Sequence, residues 1–313
     1  MPVTAPSGGG AFATPLRYPG GKGRLGPWLA ELMRHNRISG GWYVEPYAGG
    51  AGAALFLLMQ GYVDHIVIND ADPAIYSFWR AATEASPRLI KLIRDTPVTM
   101  KTWERQREIL LAPEKHDFVE VGFAAFFLNR TNRSGILAAG VIGGKAQAGQ
   151  WKLDARYVVG DLTARLAKIG AMSRHISVVG MDALDLLSDV APGFPSKCLV
   201  YLDPPYYVKG SQLYRNHYRH DDHDAIARCV KSASYPVLVT YDDCPEIRAL
   251  YSGMDEVNFS LHYSTHLARP LASEVLYYRN LELPCEPTLT RGFQLAQHAR
   301  TNGATLSQKV LTT

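Results

Sequence analysis

Little in this sequence is concentrated enough to name a function at sight. Only four of its 313 residues are cysteine, Cys198, Cys229, Cys244 and Cys285, and none forms a CxxC pair. That excludes a disulfide framework and a cysteine-based zinc site, and it sets the expectation of a reducing cytoplasm. Long apolar runs are also missing. Stretches such as residues 51–59 fall well short of the roughly 20 residues of a membrane span, and the N-terminus MPVTAPSGGG lacks the basic-then-apolar layout of a signal peptide. No membrane partner is expected. Charge of one sign is scarce, because 33 Lys and Arg face 29 Asp and Glu for a net +4, which excludes a polycation that holds nucleic acid by bulk charge. A phosphate-binding G-x-x-x-x-G-K-[ST] loop is absent as well. Both Gly-Gly-Lys sites have the wrong residue at the first glycine position, Leu16 or Ala139, and Lys22 and Lys145 are followed by Gly23 and Ala146, with no hydroxyl for magnesium.

What is present is apolar content, 47% of the chain, enough for one large core or two smaller ones. Residues 1–13 and 284–313 read as poorly ordered tails. Between them, strand-like runs recur at 42–45, 65–69, 176–179, 198–202, 237–241, 257–263 and 274–279. Several are near-continuous apolar runs bounded by Gly, Asp or Pro, as parallel strands covered on both faces should be. Helical patterns occupy 25–35, 52–60, 222–230 and 244–251. Alternation of the two predicts a doubly wound α/β sheet, with the catalytic unit at residues 14–78 and 175–283. The stretch 79–174 breaks the rhythm, with helical patterns at 87–94, 101–111 and 117–128 and no convincing strand pair. It reads as an inserted, mainly helical domain.

The segment Tyr43-Val44-Glu45-Pro46-Tyr47-Ala48-Gly49-Gly50-Ala51-Gly52 leaves the first strand and enters a helix. Its glycines permit a tight turn and close backbone approach to a nucleotide-like cofactor, and the same glycines suit a purely steric turn. The second strand ends in Asp70, about 20 residues after the loop, where a carboxylate can hold a ribose diol. Asp72, just before Pro73, reads as a helix N-cap.

The most informative segment is Cys198-Leu199-Val200-Tyr201-Leu202 running into Asp203-Pro204-Pro205-Tyr206. Two prolines stiffen the loop and remove two donors, so its carbonyls can only accept. With the Asp203 carboxylate and the flat ring of Tyr206, this suits an exocyclic amine on a planar base: two acceptors for its hydrogens and a surface for stacking. An Asp-capped proline turn is the bland alternative.

Taken in order, Leu16-Arg17-Tyr18-Pro19-Gly20-Gly21-Lys22, the Gly-rich loop, Asp70, Phe126 to Gly135, Gly180-Met181-Asp182 and Asp203 to Tyr206 resemble the S-adenosylmethionine-dependent DNA adenine methyltransferases. The resemblance covers about residues 16–279, with a Gly-rich loop one residue longer than the family's shortest form. It implies a Rossmann-like methyltransferase sheet and transfer of a methyl group from S-adenosylmethionine to the amino group of a flipped adenine. It implies catalysis by Asp203, Pro204, Pro205 and Tyr206. Cofactor binding falls to Tyr18, Gly21, Lys22, Glu45, Pro46, Tyr47, Gly49, Gly50, Gly52, Asp70, Asp182 and Asp203, and DNA reading to the helical insert. Double-stranded DNA is then the partner, a cognate restriction endonuclease could share the site, and a monomer or weak dimer is expected. Cytosine-amino or RNA base methylation and a catalytically silent DNA-binding homologue are the alternatives.

The small net charge conceals an uneven distribution. Residues 79–175 carry 16 Lys and Arg against 9 Asp and Glu, a net +7, which leaves −3 on the rest. Arg130, Arg133, Lys145, Lys152 and Arg156 suit phosphate contacts, and the amides of Asn129, Asn132, Gln147 and Gln150, or the arginines, suit base edges, with a solvated flexible loop as the bland alternative. Tyr214 and Arg215 belong to a basic, aromatic loop after the Asp-Pro-Pro-Tyr segment, expected to close over the flipped base or its backbone. His217, His220 and His223 would spread over about 120° of a helix. No metal is expected, and Asp222 is read as an N-cap.

Overall fold

The computed structural model describes residues 14–18, 22–207, 218–261 and 272–288. Gly21, His217, Tyr214 and Arg215, and the tails at 1–13 and 289–313, lie outside the described residues. The chain is still placed beyond Leu283, since Trp28 Nε1 donates to the Cys285 carbonyl at 3.2 Å; residues 284–288 therefore belong with the folded part.

Among the described residues seven strands form one sheet: β1 Trp42–Glu45, β2 His65–Asn69, β3 Ile176–Val179, β4 Cys198–Leu202, β5 Val237–Asp242, β6 Asp255–Leu261 and β7 Ala272–Arg279, in the order β3-β2-β1-β4-β5-β7-β6. The first five are parallel, and β7 pairs antiparallel with both β5 and β6. Residues 262–263 of the expected sixth strand lie outside the described residues. Alternation along the strands separates two cores, as period-2 geometry requires. Tyr43, Ile66, Ile68, Leu199, Tyr201 and Leu238 face one core. Val44, Val67, Val200, Leu202, Val237 and Val239 face the other.

Helices α1 Gly26–His35, α2 Gly52–Met59 and α3 Pro73–Glu84 bury residues in the first core. Helix α3 starts where Asp72 caps it, its side chain accepting from Ala74 N at 2.9 Å. The sequence pattern marks that cap but not the helix behind it, which runs across the expected boundary at residue 79. Helices α4 Ser86–Asp95, α5 Met100–Leu111, α6 Phe118–Thr131 and α7 Val159–Ala171 follow before the chain returns to β3. Phe78 of α3 stacks on Phe126 of α6 with ring centroids 6.0 Å apart, and Gly122 lets the two backbones touch, since a Cβ there would stand 2.6 Å from the Ser77 carbonyl. The helical stretch thus shares a continuous core with the sheet instead of building its own.

The second core is covered by the short helix α8 Ala183–Asp185, by α9 His220–Ser232 and by α10 Pro245–Leu250. Helix α9 begins at His220, and Asp222 serves its third position, with Oδ2 accepting from Arg219 N at 2.7 Å; it is not the N-cap. Among the described residues no helix is long and apolar enough to cross a membrane.

Candidate active site

Because β1 and β4 are neighbours while the chain leaves them toward opposite halves of the sheet, their carboxyl ends open onto a crevice, the place where doubly wound sheets bind ligands. The Gly-rich loop after β1 and Asp203 to Tyr206 after β4 line it.

The loop is held from several sides. Gly49 has φ +46°, a left-handed conformation that costs a side-chain-bearing residue about 1–2 kcal/mol. A Cβ there would also stand 2.6 Å from the Tyr18 ring, and one at Gly50 would lie 3.1 Å from Tyr18 Cβ. Gly49 N donates to Asp70 Oδ2 at 2.9 Å and its carbonyl accepts from Trp79 Nε1 at 2.9 Å. Tyr18, Gly49, Gly50 and Asp70 therefore meet at one point of the crevice. Burial pushes the Asp70 carboxyl up to about 7, against the pull of the Asp72 and Gly49 N–H groups. The adjoining Asn69 has no place in the sequence reading. Its side chain donates to the Pro46 carbonyl at 2.8 Å and the Met181 carbonyl at 3.1 Å, and accepts from Met181 N at 3.0 Å. It ties the loop after β1 to the one after β3, at whose end Asp182 is exposed and accepts from Leu184 N at 2.8 Å. Tyr47 is placed by its hydroxyl, which donates to Tyr218 Oη at 2.9 Å.

The β4 side is organised around Lys22. Its buried Nζ lies 3.0 Å from Asp203 Oδ1, 3.2 Å from Glu274 Oε2 and 3.3 Å from the Tyr206 hydroxyl. Burial alone would lower its pKa, but Asp203, Tyr206 and Glu274 together hold it well above the ordinary lysine range. Thr240 Oγ1 also donates to Asp203 Oδ1, at 2.9 Å, while a quarter of the Asp203 side chain stays exposed. The Tyr206 hydroxyl donates to Glu274 Oε1 at 2.6 Å, which pins its ring at the end of the strand. Glu45, at the end of β1, accepts from the Tyr43 hydroxyl and Ala54 N, both at 3.1 Å. Burial raises it to about 8, opposed by those two hydrogen bonds and reinforced by the Asp203 charge.

Glu274 is invisible to local sequence reasoning. It sits near the start of β7, and only the antiparallel register, Asp242 opposite Glu274, brings it to the edge where the parallel strands end. Asn69 could have been suspected from its position beside Asp70.

Two expected DNA contacts are corrected. Asn129 is fully buried; its carbonyl oxygen accepts from Arg17 N at 2.7 Å, and its amide donates to the Arg17 and Gly135 carbonyls, each at 2.8 Å. Asn132 is equally buried, accepting from Trp103 Nε1 at 2.7 Å and donating to the Ile136 and Leu137 carbonyls. With donors and acceptors used inside the protein, neither amide faces a base. Arg133, Lys145, Lys152 and Arg156 are exposed and Arg130 is partly buried. His220 Nδ1 lies 3.1 Å from the Tyr207 hydroxyl, and buried His223 has Nδ1 3.0 Å from that of Tyr241.

No curated protein matches the chain. A solved structure from Listeria monocytogenes, assigned to the class I S-adenosylmethionine-dependent methyltransferases, aligns with 85% of this chain at 11% identity and a TM-score of 0.35; the chain spans 62% of that protein's length. The family assignment rests on the motif order and on a family model that matches residues 18–268. By that match the chain belongs to the D12 class N6 adenine-specific DNA methyltransferase family.

Proposed function

We propose that this protein transfers a methyl group from S-adenosylmethionine to the amino group of an adenine flipped out of duplex DNA. The observation that carries the reading is the convergence of Lys22, Asp203 and Tyr206, next to a glycine cradle, at the β1–β4 crevice. The residues present fit the cofactor: Gly49 and Gly50, where a Cβ would run into Tyr18, let that ring close against the loop as one wall of a cradle, and Asp70 offers a carboxylate at the end of β2. Tyr18, Lys22, Gly49, Gly50, Gly52, Asp70 and Asp182 would hold it. Bound there, the cofactor supplies an electrophilic methyl group.

The protein's own part is positioning and electrostatics. Lys22 and Thr240 fix Asp203 Oδ1, so the exposed part of the carboxylate, with the Pro204 carbonyl, can accept the two amino hydrogens. Held this way, the nitrogen keeps its lone pair directed at the methyl group. Tyr206 offers a face for the extruded base, replacing stacking worth roughly 1–3 kcal/mol. The helical stretch with its net +7 serves as the target-recognition segment, contacting the duplex through Arg130, Arg133, Lys145, Lys152 and Arg156, with Tyr214 and Arg215 beside the flipped base. All four cysteines carry free thiols, in keeping with a reducing cytoplasm. An endonuclease of the same specificity is the enzyme against which such a modification would protect.

The test is incubation with labelled S-adenosylmethionine and genomic DNA, followed by mapping of modified bases. N6-methyladenine at one recurrent site is the expected product. Methylated cytosine, methylated RNA, or transfer undiminished in Asp203→Ala would each overturn the reading.

A further inference from the structure

Four arginines from separate parts of the chain gather at the edge of the helical stretch. Arg17 comes from the N-terminal segment, Arg130 from α6, Arg156 from the loop before α7 and Arg165 from α7 itself. Arg130 Nε donates to the Arg156 carbonyl at 2.9 Å. Arg165 Nη1 donates to the Thr14 carbonyl at 2.9 Å, and its Nη2 pairs with Asp161 at 2.9 Å. The Arg17 backbone is clamped on both sides by the Asn129 amide.

Inside this cluster two buried polar atoms have no hydrogen-bond partner, Arg17 Nη1 and the Tyr157 hydroxyl. Leaving a buried donor unmet is costly, and more so when it is charged. The guanidiniums also repel one another. Burial and then the charges of Arg17 and Arg165 bring Arg130 down to about 10, with Asp161 as the opposing charge, and burial and Arg156 lower Arg17. A fold that clamps like charges together and leaves a donor unmet is arranged for an anion. The planar fork of arginine matches an oxyanion with two oxygens, such as phosphate.

We infer that Arg17, Arg130 and Arg156 form a binding site for one phosphodiester of the DNA backbone. The inference rests on the DNA-methylation reading and adds to it a specific site that draws on Arg17 as well as the basic segment. Arg17 is the residue before Tyr18, whose ring packs on Gly49 and Gly50, so a phosphate held there sets the register of the duplex against the cofactor cradle.

The experiment uses the full chain and a duplex carrying the site mapped by base sequencing. Arg17→Gln and Arg130→Gln should each weaken duplex binding about tenfold and make the slope of log K against log salt shallower by about one. A scan of the duplex with single neutral methylphosphonates should find one position that reproduces this loss in the unmutated protein and adds nothing in Arg17→Gln. Because Arg17→Gln removes repulsion and an unmet donor, its DNA-free melting temperature should hold or rise; a merely structural role predicts a fall with an unchanged salt slope. Inorganic phosphate forms the second arm. If its stabilisation of the protein is lost in Arg17→Gln while duplex binding is not, the site takes a free oxyanion and the DNA assignment is overturned. If methyl transfer to the duplex proceeds but no phosphate position couples to Arg17, the inference alone fails. If the unmutated protein neither binds nor methylates duplex DNA, the functional reading fails with it.

Discussion

Glu274 reaches Lys22 across 3.2 Å, although the two stand 252 positions apart in the chain, and both side chains are almost fully buried. Glu274 also accepts the Tyr206 hydroxyl proton at 2.6 Å, so it holds the lysine beside Asp203 and the ring that would stack on the base. It acts through those neighbours, as a positioning residue. Glu274→Gln, whose amide oxygen still accepts from Lys22, should therefore lower kcat by a larger factor than it weakens S-adenosylmethionine affinity, which single-turnover kinetics and calorimetric titration can separate. Glu274→Ala strips one partner from a buried charge, a change that costs about 3–5 kcal/mol in such pairs, and its melting temperature should fall accordingly.

Glu45 should make stability depend on pH in an unusual direction. Its folded carboxyl, pushed up to about 8 by burial, lies above its unfolded value. Between roughly pH 4.5 and 8 the folded state thus binds more protons than the unfolded state. The group's favourable contribution is fully present below the unfolded value and is lost as pH rises through about 8. Glu45→Gln keeps an acceptor for Ala54 N and carries no charge, so its melting temperature relative to the unmutated protein should climb from pH 5 to pH 9. A flat difference would refute this.

Gly49→Ala meets two obstacles, a left-handed φ of +46° and a Tyr18 ring 2.6 Å from the new Cβ. The backbone penalty of about 1–2 kcal/mol and the displacement of Tyr18 both fall on the proposed cofactor cradle. Affinity for S-adenosylmethionine should drop by about tenfold or more, and a far-ultraviolet circular dichroism spectrum should show the fold retained.

Asn129→Ala leaves Arg17 N and the Arg17 and Gly135 carbonyls without their side-chain partner. With unmet buried groups costing about 1–3 kcal/mol each, denaturant titration should show a clear loss of stability. Cofactor affinity should fall as well, because the segment that carries Tyr18 loses its anchor. A base-contacting asparagine would instead lose DNA affinity with stability unchanged.

The amino-acid sequence by itself determined a good deal. Strand-like composition, in several cases an apolar run bounded by Gly, Asp or Pro, marked the places of the seven strands among the described residues, and Asp72 before Pro73 marked the start of α3. Asp-Pro-Pro-Tyr marked a stiff loop at the end of β4, because two prolines and a carboxylate at a strand end constrain the backbone locally, whatever surrounds them. The helices α3 and α7 were not legible, since their apolar faces make sense only against α6 and α4, across loops whose lengths carry no periodic signal. Only the tertiary structure decided that Asn129 and Asn132 point inward, that Glu274 meets Lys22 and that Arg17 joins Arg130. Each of these is a pairing of polar groups brought together by strand order, antiparallel register or helix packing. Such pairings satisfy hydrogen bonds and charges over long sequence separations, and composition, spacing and hydrophobic period hold no record of them.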